Sequence, residues 1–313
     1  MLTDQILDEG LAKYGFPVLR EAAERLSLAY RDSKPTKSLR LDGELLALAY
    51  LATRFPATLA VAHKVGEETL ARVPDTPRSL LDLGAGCGAT SLGLLAAWSE
   101  IDSVTAIEQQ PAMTALGRKF LPNAAWRSAD FRKADLGTHD AVAMGYSLGE
   151  DPEAILARAW AAARQLLILI EPGTKAGFAN LLLARNWLLQ NGGHVVAPCP
   201  NNLACPMEGA DWCHFAQRLN RSRLHRQLKG GQLGYEDEKY SYLVVARQPI
   251  SEGSPRVVRH PLFAPGRIML DLCLAPVRSS RLVTKHDKEN FRRARKTAWG
   301  EVWMAASEAH DSD

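Results

Sequence analysis

The segment Ser79-Leu80-Leu81-Asp82-Leu83-Gly84-Ala85-Gly86-Cys87-Gly88 constrains this chain more than any other. A short apolar strand pattern stops at three glycines in alternate positions, and a helical pattern runs from Thr90 to Trp98. Glycines at a strand-to-helix turn allow positive φ and let the backbone approach a ligand closely. The helix N-terminus behind them offers unpaired N–H groups and the positive end of its dipole. Further apolar runs follow. They are Ser103-Val104-Thr105-Ala106-Ile107, ending at Glu108; Ala125-Trp126-Arg127, before Asp130; Asp140 to Met144; Gln165 to Ile170, ending at Glu171-Pro172-Gly173; and a late run, Tyr240 to Ala246. Helical stretches lie between most of them. Continuous apolar strands alternating with helices predict an α/β fold, a parallel sheet covered on both faces.

The 313 residues suit one large domain or two modest ones. Leu19, Ala22, Ala23, Leu26 and Tyr30 recur at helical spacing, as do Leu45, Leu48, Ala49 and Ala52, with Pro35 and Pro56 as breaks. The expected organisation is an N-terminal helical segment, 1–73, then an α/β domain, 74–248, then a basic C-terminal extension, 249–313. A Cys-rich insertion interrupts the α/β domain at about 195–234. The extension holds two strand-like runs, Arg267 to Leu274 and Arg281 to Thr284, and a basic helix, Lys288 to Trp299. No apolar run reaches the ~18–20 residues of a membrane span. The N-terminus, MLTDQILDEGLAKYG, lacks the basic and apolar regions of a signal peptide, so a cytoplasmic monomer away from membranes is expected. In a reducing compartment the five cysteines are expected as thiols or metal ligands rather than disulfides.

Two cofactors compete for the glycine loop. Gly84-x-Gly86-x-x-Ala89 fits a dinucleotide fingerprint that tolerates Ala in third place. Asp82-x-Gly84-x-Gly86-x-Gly88 resembles motif I of the class I methyltransferases, Rossmann-like proteins that bind S-adenosylmethionine. That resemblance implies Asp82 close to the methionine amino group, Glu108 on the ribose hydroxyls and Asp130 on the adenine amine. Cys87 reads as a loop filler.

Cys199, Cys205, Cys213 and Cys273 form a second constellation, C-x5-C-x7-C with a distant fourth member. Four thiolates can complete a tetrahedral zinc site or hold a [4Fe–4S] cluster. Structural zinc favours close C-x2–4-C pairs, which are missing, so the spacing tilts toward the cluster. His214 and His225 are candidate substitute ligands. Four small buried hydrophobes remain the alternative, and spacing alone leaves it open.

Charge is unevenly distributed. Net charge is +3, yet residues 218–296 hold 18 Lys and Arg against 7 Asp and Glu. Such a surplus points to a polyanionic partner, or else to a solvated basic surface.

Several segments together resemble the ribosomal small-subunit methyltransferase-like family, bacterial relatives of the mitochondrial small-subunit assembly methyltransferase. They are Glu171-Pro172-Gly173-Thr174, Pro198-Cys199-Pro200, Ala204-Cys205-Pro206 and Asp211-Trp212-Cys213-His214-Phe215. Tyr235-Glu236-Asp237-Glu238-Lys239-Tyr240-Ser241-Tyr242 and Ala294-Arg295-Lys296-Thr297-Ala298-Trp299-Gly300 complete the set. The likeness runs from about Pro35 to Trp303. It implies a methyltransferase acting on the small ribosomal subunit and its ribosomal RNA, with a [4Fe–4S] cluster on Cys199, Cys205, Cys213 and Cys273. A non-catalytic assembly factor that keeps the cofactor pocket is the alternative. Members often carry His after the first Cys-Pro, where this chain has Asn201. After the fourth strand, RNA cytosine-C5 enzymes carry a nucleophilic Cys and base-amine methyltransferases an Asn/Asp-Pro-Pro-Tyr/Phe motif. Here that place holds Gly145-Tyr146-Ser147-Leu148, so no catalytic residue is named, and Tyr146 is expected to line the pocket on the acceptor side.

Overall fold

Four helices precede the first strand: α1 (Leu2–Tyr14), α2 (Phe16–Arg31), α3 (Gly43–Thr53) and α4 (Phe55–Leu70). They belong to a computed structural model that describes residues 2–31, 43–149, 152–207 and 211–306. Pro35, read as a break between helices, lies outside the described residues. Helix α3 is buried along nearly its whole length, which its sequence, GELLALAYLAT, permits on every side. No single helix among the described residues is long and apolar enough to cross a membrane.

The apolar runs then form the sheet. In chain order come β1 (Ser79–Leu83), α5 (Ala89–Ala97), β2 (Ser103–Glu108), α6 (Pro111–Phe120), β3 (Ala125–Ser128), β4 (His139–Gly145), α7 (Pro152–Ala162), β5 (Ala163–Pro172) and α8 (Lys175–Gln190). They are followed by β6 (His194–Ala197), β7 (Phe215–Asn220), α9 (Arg223–Lys229) and β8 (Tyr235–Ala246). The strand order is β3-β2-β1-β4-β5-β8-β6, with β7 also on β8. Strands β1 to β5 are mutually parallel, and β8 runs antiparallel to β5. This is a mixed, mainly parallel α/β sheet. Its winding direction reverses between β1 and β4, and ligands of such sheets bind outside the strands' carboxyl ends at that reversal.

The late strand begins at Tyr235, earlier than its apolar run, and is not the edge of the sheet. Its far side carries two partners, with Ala197 of β6 opposite Val244 and Phe215 of β7 opposite Tyr240. The expected Cys-rich insertion therefore contains regular structure, β7 and α9, and its cysteine-bearing part is the connection from β6 to β7. The tail also folds more fully than its sequence suggests. Strands β9 (Arg256–Val257), β10 (Leu262–Ala264), β11 (Arg267–Leu274) and β12 (Val277–Thr284) make a second, antiparallel sheet. Val257, Ile268, Leu270, Leu272, Val283 and Trp303 form its core. Helix α10 (Lys288–Ala294) stops well before Trp299. Thr297 closes it by donating from both its N–H and its hydroxyl to the Arg293 carbonyl. Gly300, at φ +95, then turns the chain so that its N–H reaches Val257.

Helix α4 packs on α5 at a contact made of glycines. A Cβ at Gly66 would lie 2.7 Å from Ala97 Cβ, and one at Gly93 would lie 2.5 Å from the Leu59 carbonyl oxygen. Two effects oppose each other in Gly93→Ala. Helix propensity favours Ala by about 1 kcal/mol, whereas overpacking costs about 1–3 kcal/mol. The obstructing atoms are backbone, so the clash should win. We expect Gly93→Ala to lower unfolding stability by about 1–2 kcal/mol in denaturant titration. An unchanged or raised midpoint would mean that α4 shifts freely on α5.

Candidate functional site

The glycine loop sits at the carboxyl end of β1, where the winding reverses. Gly84, Gly86 and Gly88 all have positive φ, +75, +56 and +88. Two are set by packing. A Cβ at Gly84 would lie 2.7 Å from Ser147 Cβ, and one at Gly88 would lie 2.8 Å from Leu121 Cδ1. Gly86 differs, because a Cβ there would meet nothing within 4 Å. Its open face is where a ligand has room to approach.

Two carboxyl groups frame this loop. Glu108, at the end of β2, accepts from the Gly86 N–H (2.9 Å) through Oε2 and from the Gln110 N–H (2.8 Å) through Oε1. Burial raises its pKa despite those hydrogen bonds. Asp82 is fully buried. Its Oδ2 accepts from the Ser91 N–H (3.2 Å) and hydroxyl (2.7 Å), while Oδ1 is buried without a hydrogen-bond partner. Burial pushes this carboxyl up to about 6, against the pull of the two Ser91 bonds. Asp130 lies past the end of β3 and accepts from the Arg132 N–H at 3.0 Å, closing a turn.

Across the reversal, the loop after β4 packs on the glycine loop. Tyr146 is the non-glycine residue of positive φ, +58, among those described, and its N–H donates to Ile170. Its hydroxyl is buried without a hydrogen-bond partner. The Ser147 hydroxyl donates to the Leu83 carbonyl (2.6 Å), and the Leu148 N–H donates to Glu171 Oε1 (3.3 Å). Glu171 is a site feature that sequence reading missed. Buried at the carboxyl end of β5, it is pushed up to about 7 by desolvation, only partly offset by Leu148. It ends its strand as Glu108 ends β2, and that shared position was the available signal.

The four distal cysteines come together. Cys199, Cys205, Cys213 and Cys273 line one cavity of about 40 Å³, with Phe178, Met207, Tyr242 and Val258 among its walls. Burial raises the Cys213 thiol well above its usual range, and the nearness of Cys199, Cys205 and Cys273 raises it further. Cys273 is likewise pushed up to about 12, first by burial. Among the described residues no group of three or more His, Cys, Asp or Glu is arranged to hold a metal ion. His225 stands instead by Glu236, with Nε2 at 3.3 Å, and His214 stacks on Trp212. Cys87 is buried in the helical core. Asn201 ties the segment to the tail, its Nδ2 donating to the Ala275 carbonyl (2.8 Å) and its Oδ1 accepting from the Leu203 N–H. The buried Arg256 guanidinium adds a second tie, donating to the Pro198 and Gly300 carbonyls and to Glu68 (2.7 Å).

Much of the basic surplus is spent within the fold. Arg218 pairs with Asp237, Arg221 and Lys229 pair with Glu236, and Arg259 and Arg278 pair with Asp211. Arg293 pairs with Glu289, while Arg292, Arg295 and Lys296 stay exposed around the end of α10.

A glycine loop, strand-end carboxylates and a winding reversal define a mainly parallel α/β protein whose candidate ligand edge lies at β1, β2 and β4. The chain belongs to the family described as mitochondrial small ribosomal subunit Rsm22, whose model matches residues 44–304. It is 26% identical over 290 residues to the human mitochondrial ribosome assembly protein METTL17, covering 83% of this chain and 62% of that protein. The fission yeast mitochondrial Rsm22-cox11 tandem protein 2 is 29% identical over 188 residues, covering 44% of this chain and 24% of that protein. The chain thus spans less than two thirds of either relative. Looser structural matches include the plantazolicin methyltransferase BpumL with SAH (TM-score 0.42, 11% identity, 79% of this chain and 100% of that one). Another is precorrin-6y C5,15-methyltransferase from Geobacter metallireducens (TM-score 0.39, 18% identity, 59% and 86%).

The raised pKa of Glu171 gives a stability test. In the fold its proton is held up to about pH 7, whereas in the unfolded chain it leaves near the ordinary value of 4.5. The contribution of this group is therefore fully present below that ordinary value and is lost as pH rises to about 7. Glu171→Gln keeps an acceptor for Leu148 and does not ionise. We expect the two proteins to be similarly stable at pH 4.5 and the Gln variant to be more stable at pH 8, by up to about 3 kcal/mol. A difference in stability that does not change with pH would show that Glu171 is solvated.

Proposed function

We propose that this protein binds S-adenosylmethionine and acts as a methyltransferase on the small ribosomal subunit, with ribosomal RNA as acceptor. The observation that carries this reading is the open face of Gly86, held by the Glu108 carboxylate in a loop that follows the strand of buried Asp82, whose Oδ1 has no hydrogen-bond partner. Asp82 and the loop at Gly84, Gly86 and Gly88 would take the methionine end, Glu108 the ribose and Asp130 the adenine. Glu108 Oε2 accepts from Gly86 of the loop and Oε1 from Gln110 just after β2, which leaves the carboxylate acceptor capacity for a ribose hydroxyl. S-Adenosylmethionine supplies an activated methyl group for in-line displacement. Tyr146 would line the acceptor side, where positioning and exclusion of water can supply much of the rate. Membership of a small-subunit family and the basic surplus support RNA as the acceptor.

The same reading gives Cys199, Cys205, Cys213 and Cys273 a [4Fe–4S] cluster. Four thiols from the β6–β7 connection and β11 share one cavity. A tetrahedral zinc ion, with Zn–S of about 2.3 Å, needs its sulfurs roughly 3.8 Å apart. A cuboidal cluster instead gives each of four cysteines its own iron, and the convergence of four thiols on one cavity is what supports it here. The cluster would staple the β6–β7 connection to the tail.

One observation favours a non-catalytic assembly role. After β4, the Ser147 hydroxyl is committed to Leu83 and the Leu148 N–H to Glu171, and the sequence there, Gly145-Tyr146-Ser147-Leu148, holds no cysteine. Small subunits incubated with methyl-labelled S-adenosylmethionine decide between the readings. Label in the RNA supports transfer, and none, with cofactor binding intact, moves the assignment to assembly. Calorimetry should show Glu108→Ala binding the cofactor at least tenfold more weakly than wild type, and equal affinity would remove Glu108 from the site. Protein purified without oxygen should carry about four irons per chain, fewer in Cys273→Ser. Stoichiometric zinc without iron would replace the cluster by a structural zinc site.

A further inference from the structure

Four of the segments that carry the family resemblance meet at one place on the surface. The Trp212 and His214 rings stack, with centroids 4.9 Å apart and planes within 16°. Trp299 stands edge-on to His214 at 4.9 Å and to His260 at 4.7 Å. Lys175 Nζ lies 5.4 Å over the Trp212 ring, and Lys239 Nζ lies 4.2 Å over Trp299. The Trp212 indole N–H donates to the Gly173 carbonyl (2.9 Å), just past the end of β5, where Glu171 sits.

This cluster is not core. Trp212, His214 and Trp299 are half-buried, and His260, Lys175 and Lys239 are exposed. The buried layer lies next to it, where Phe215, Tyr240 and Tyr242 pack on one another, and Phe215 also underlies Gly300. The outer rings are therefore held on a rigid base. Asp211, beside Trp212 in the chain, is already neutralised by Arg259 and Arg278, which leaves the face cationic. The ring surface that these residues do not give to one another is screened by flexible ammonium groups within a basic surface, and it matches the unpaired bases and phosphates of a single strand. A duplex would keep its base faces to itself.

We propose that Trp212, His214, His260 and Trp299 form a stacking platform for unpaired RNA bases, with Lys175 and Lys239 turning to the phosphates. The proposal rests on the RNA reading given above and specifies single-stranded RNA, entering along the carboxyl end of β5. Lys175 and Lys239 would leave the ring faces as bases arrive.

Fluorescence anisotropy with a short labelled single-stranded RNA, and with the same RNA as a blunt duplex, tests it. Wild type should prefer the single strand, and its tryptophan emission should be quenched on saturation. Trp212→Leu should weaken single-strand binding about fivefold to a hundredfold, while leaving duplex binding and S-adenosylmethionine affinity unchanged. Trp212→Phe, which keeps a ring but loses the bond to Gly173, should retain most of the affinity. Lys175→Gln with Lys239→Gln should flatten the salt dependence of binding. Undiminished single-strand binding by a Trp212→Leu protein that still binds the cofactor would overturn the platform and leave the RNA reading standing. Should that variant not fold, absence of tryptophan quenching in RNA-saturated wild type overturns the platform equally. Failure of wild type to bind either RNA or small subunits would remove the RNA reading itself.

Discussion

The edge of β8 governs how the second half of this protein is built. The chain leaves that edge at Ala197, opposite Val244, and returns to it at Phe215, opposite Tyr240. Four residues of strand separate those positions, about 13 Å. The segment 198–214 between them could reach roughly 56 Å if extended. It must therefore fold back on itself over the sheet, and three of its residues are Cys199, Cys205 and Cys213. Strand β11 brings Cys273 to the same cavity, held by Asn201 and Arg256. The grouping of Cys199, Cys205 and Cys213 thus follows from sharing one strand edge, and Cys273 joins them from the second sheet. It leaves an apolar cavity lined by four thiols.

The glycine-loop edge obeys a different logic. There the chain buries carboxyl groups beside backbone donors and leaves one face open. Glu108 holds the glycine loop in its shape through Gly86, so the loop is formed before a ligand arrives. Asp82 and Glu171 are acids whose burial favours the protonated form. Such groups are costly for a fold unless a ligand or a proton satisfies them. They lie on either side of the reversal between β1 and β4, with the positive-φ Tyr146 between them.

What could be read from sequence follows the same physics. Strands β1, β4 and β5 were legible because each is largely buried on both faces and so reads as a continuous apolar run, and β2 because its carboxyl half is buried. The glycine loop was legible because left-handed turns narrow the choice of residue. Strand β7, FAQRLN, was not, because an edge strand with solvent on one side carries polar residues and takes its pairing from β8. Helix α10 was read too long, since its basic residues continue past Ala294, while the pull of Trp299 toward His214 and His260 is a tertiary effect. Glu171 looked like any strand-end carboxylate, as sequence does not report burial. The basic surplus was legible as a sum, but the ion pairs of Arg218, Arg221, Arg259 and Arg278 that use much of it were not.

The placement of β11 sets an order in time. A chain emerges from the ribosome N-terminus first, and folding units close as their residues become available. All strands of the large sheet have emerged once Ala246 is out, so that sheet can close then. The cysteine cavity cannot, because Cys273 has yet to appear, and Trp299 and its ring partners come later still. The glycine-loop edge can thus be complete in a molecule whose basic, aromatic face is not, and that face is assembled only after Trp299 has emerged.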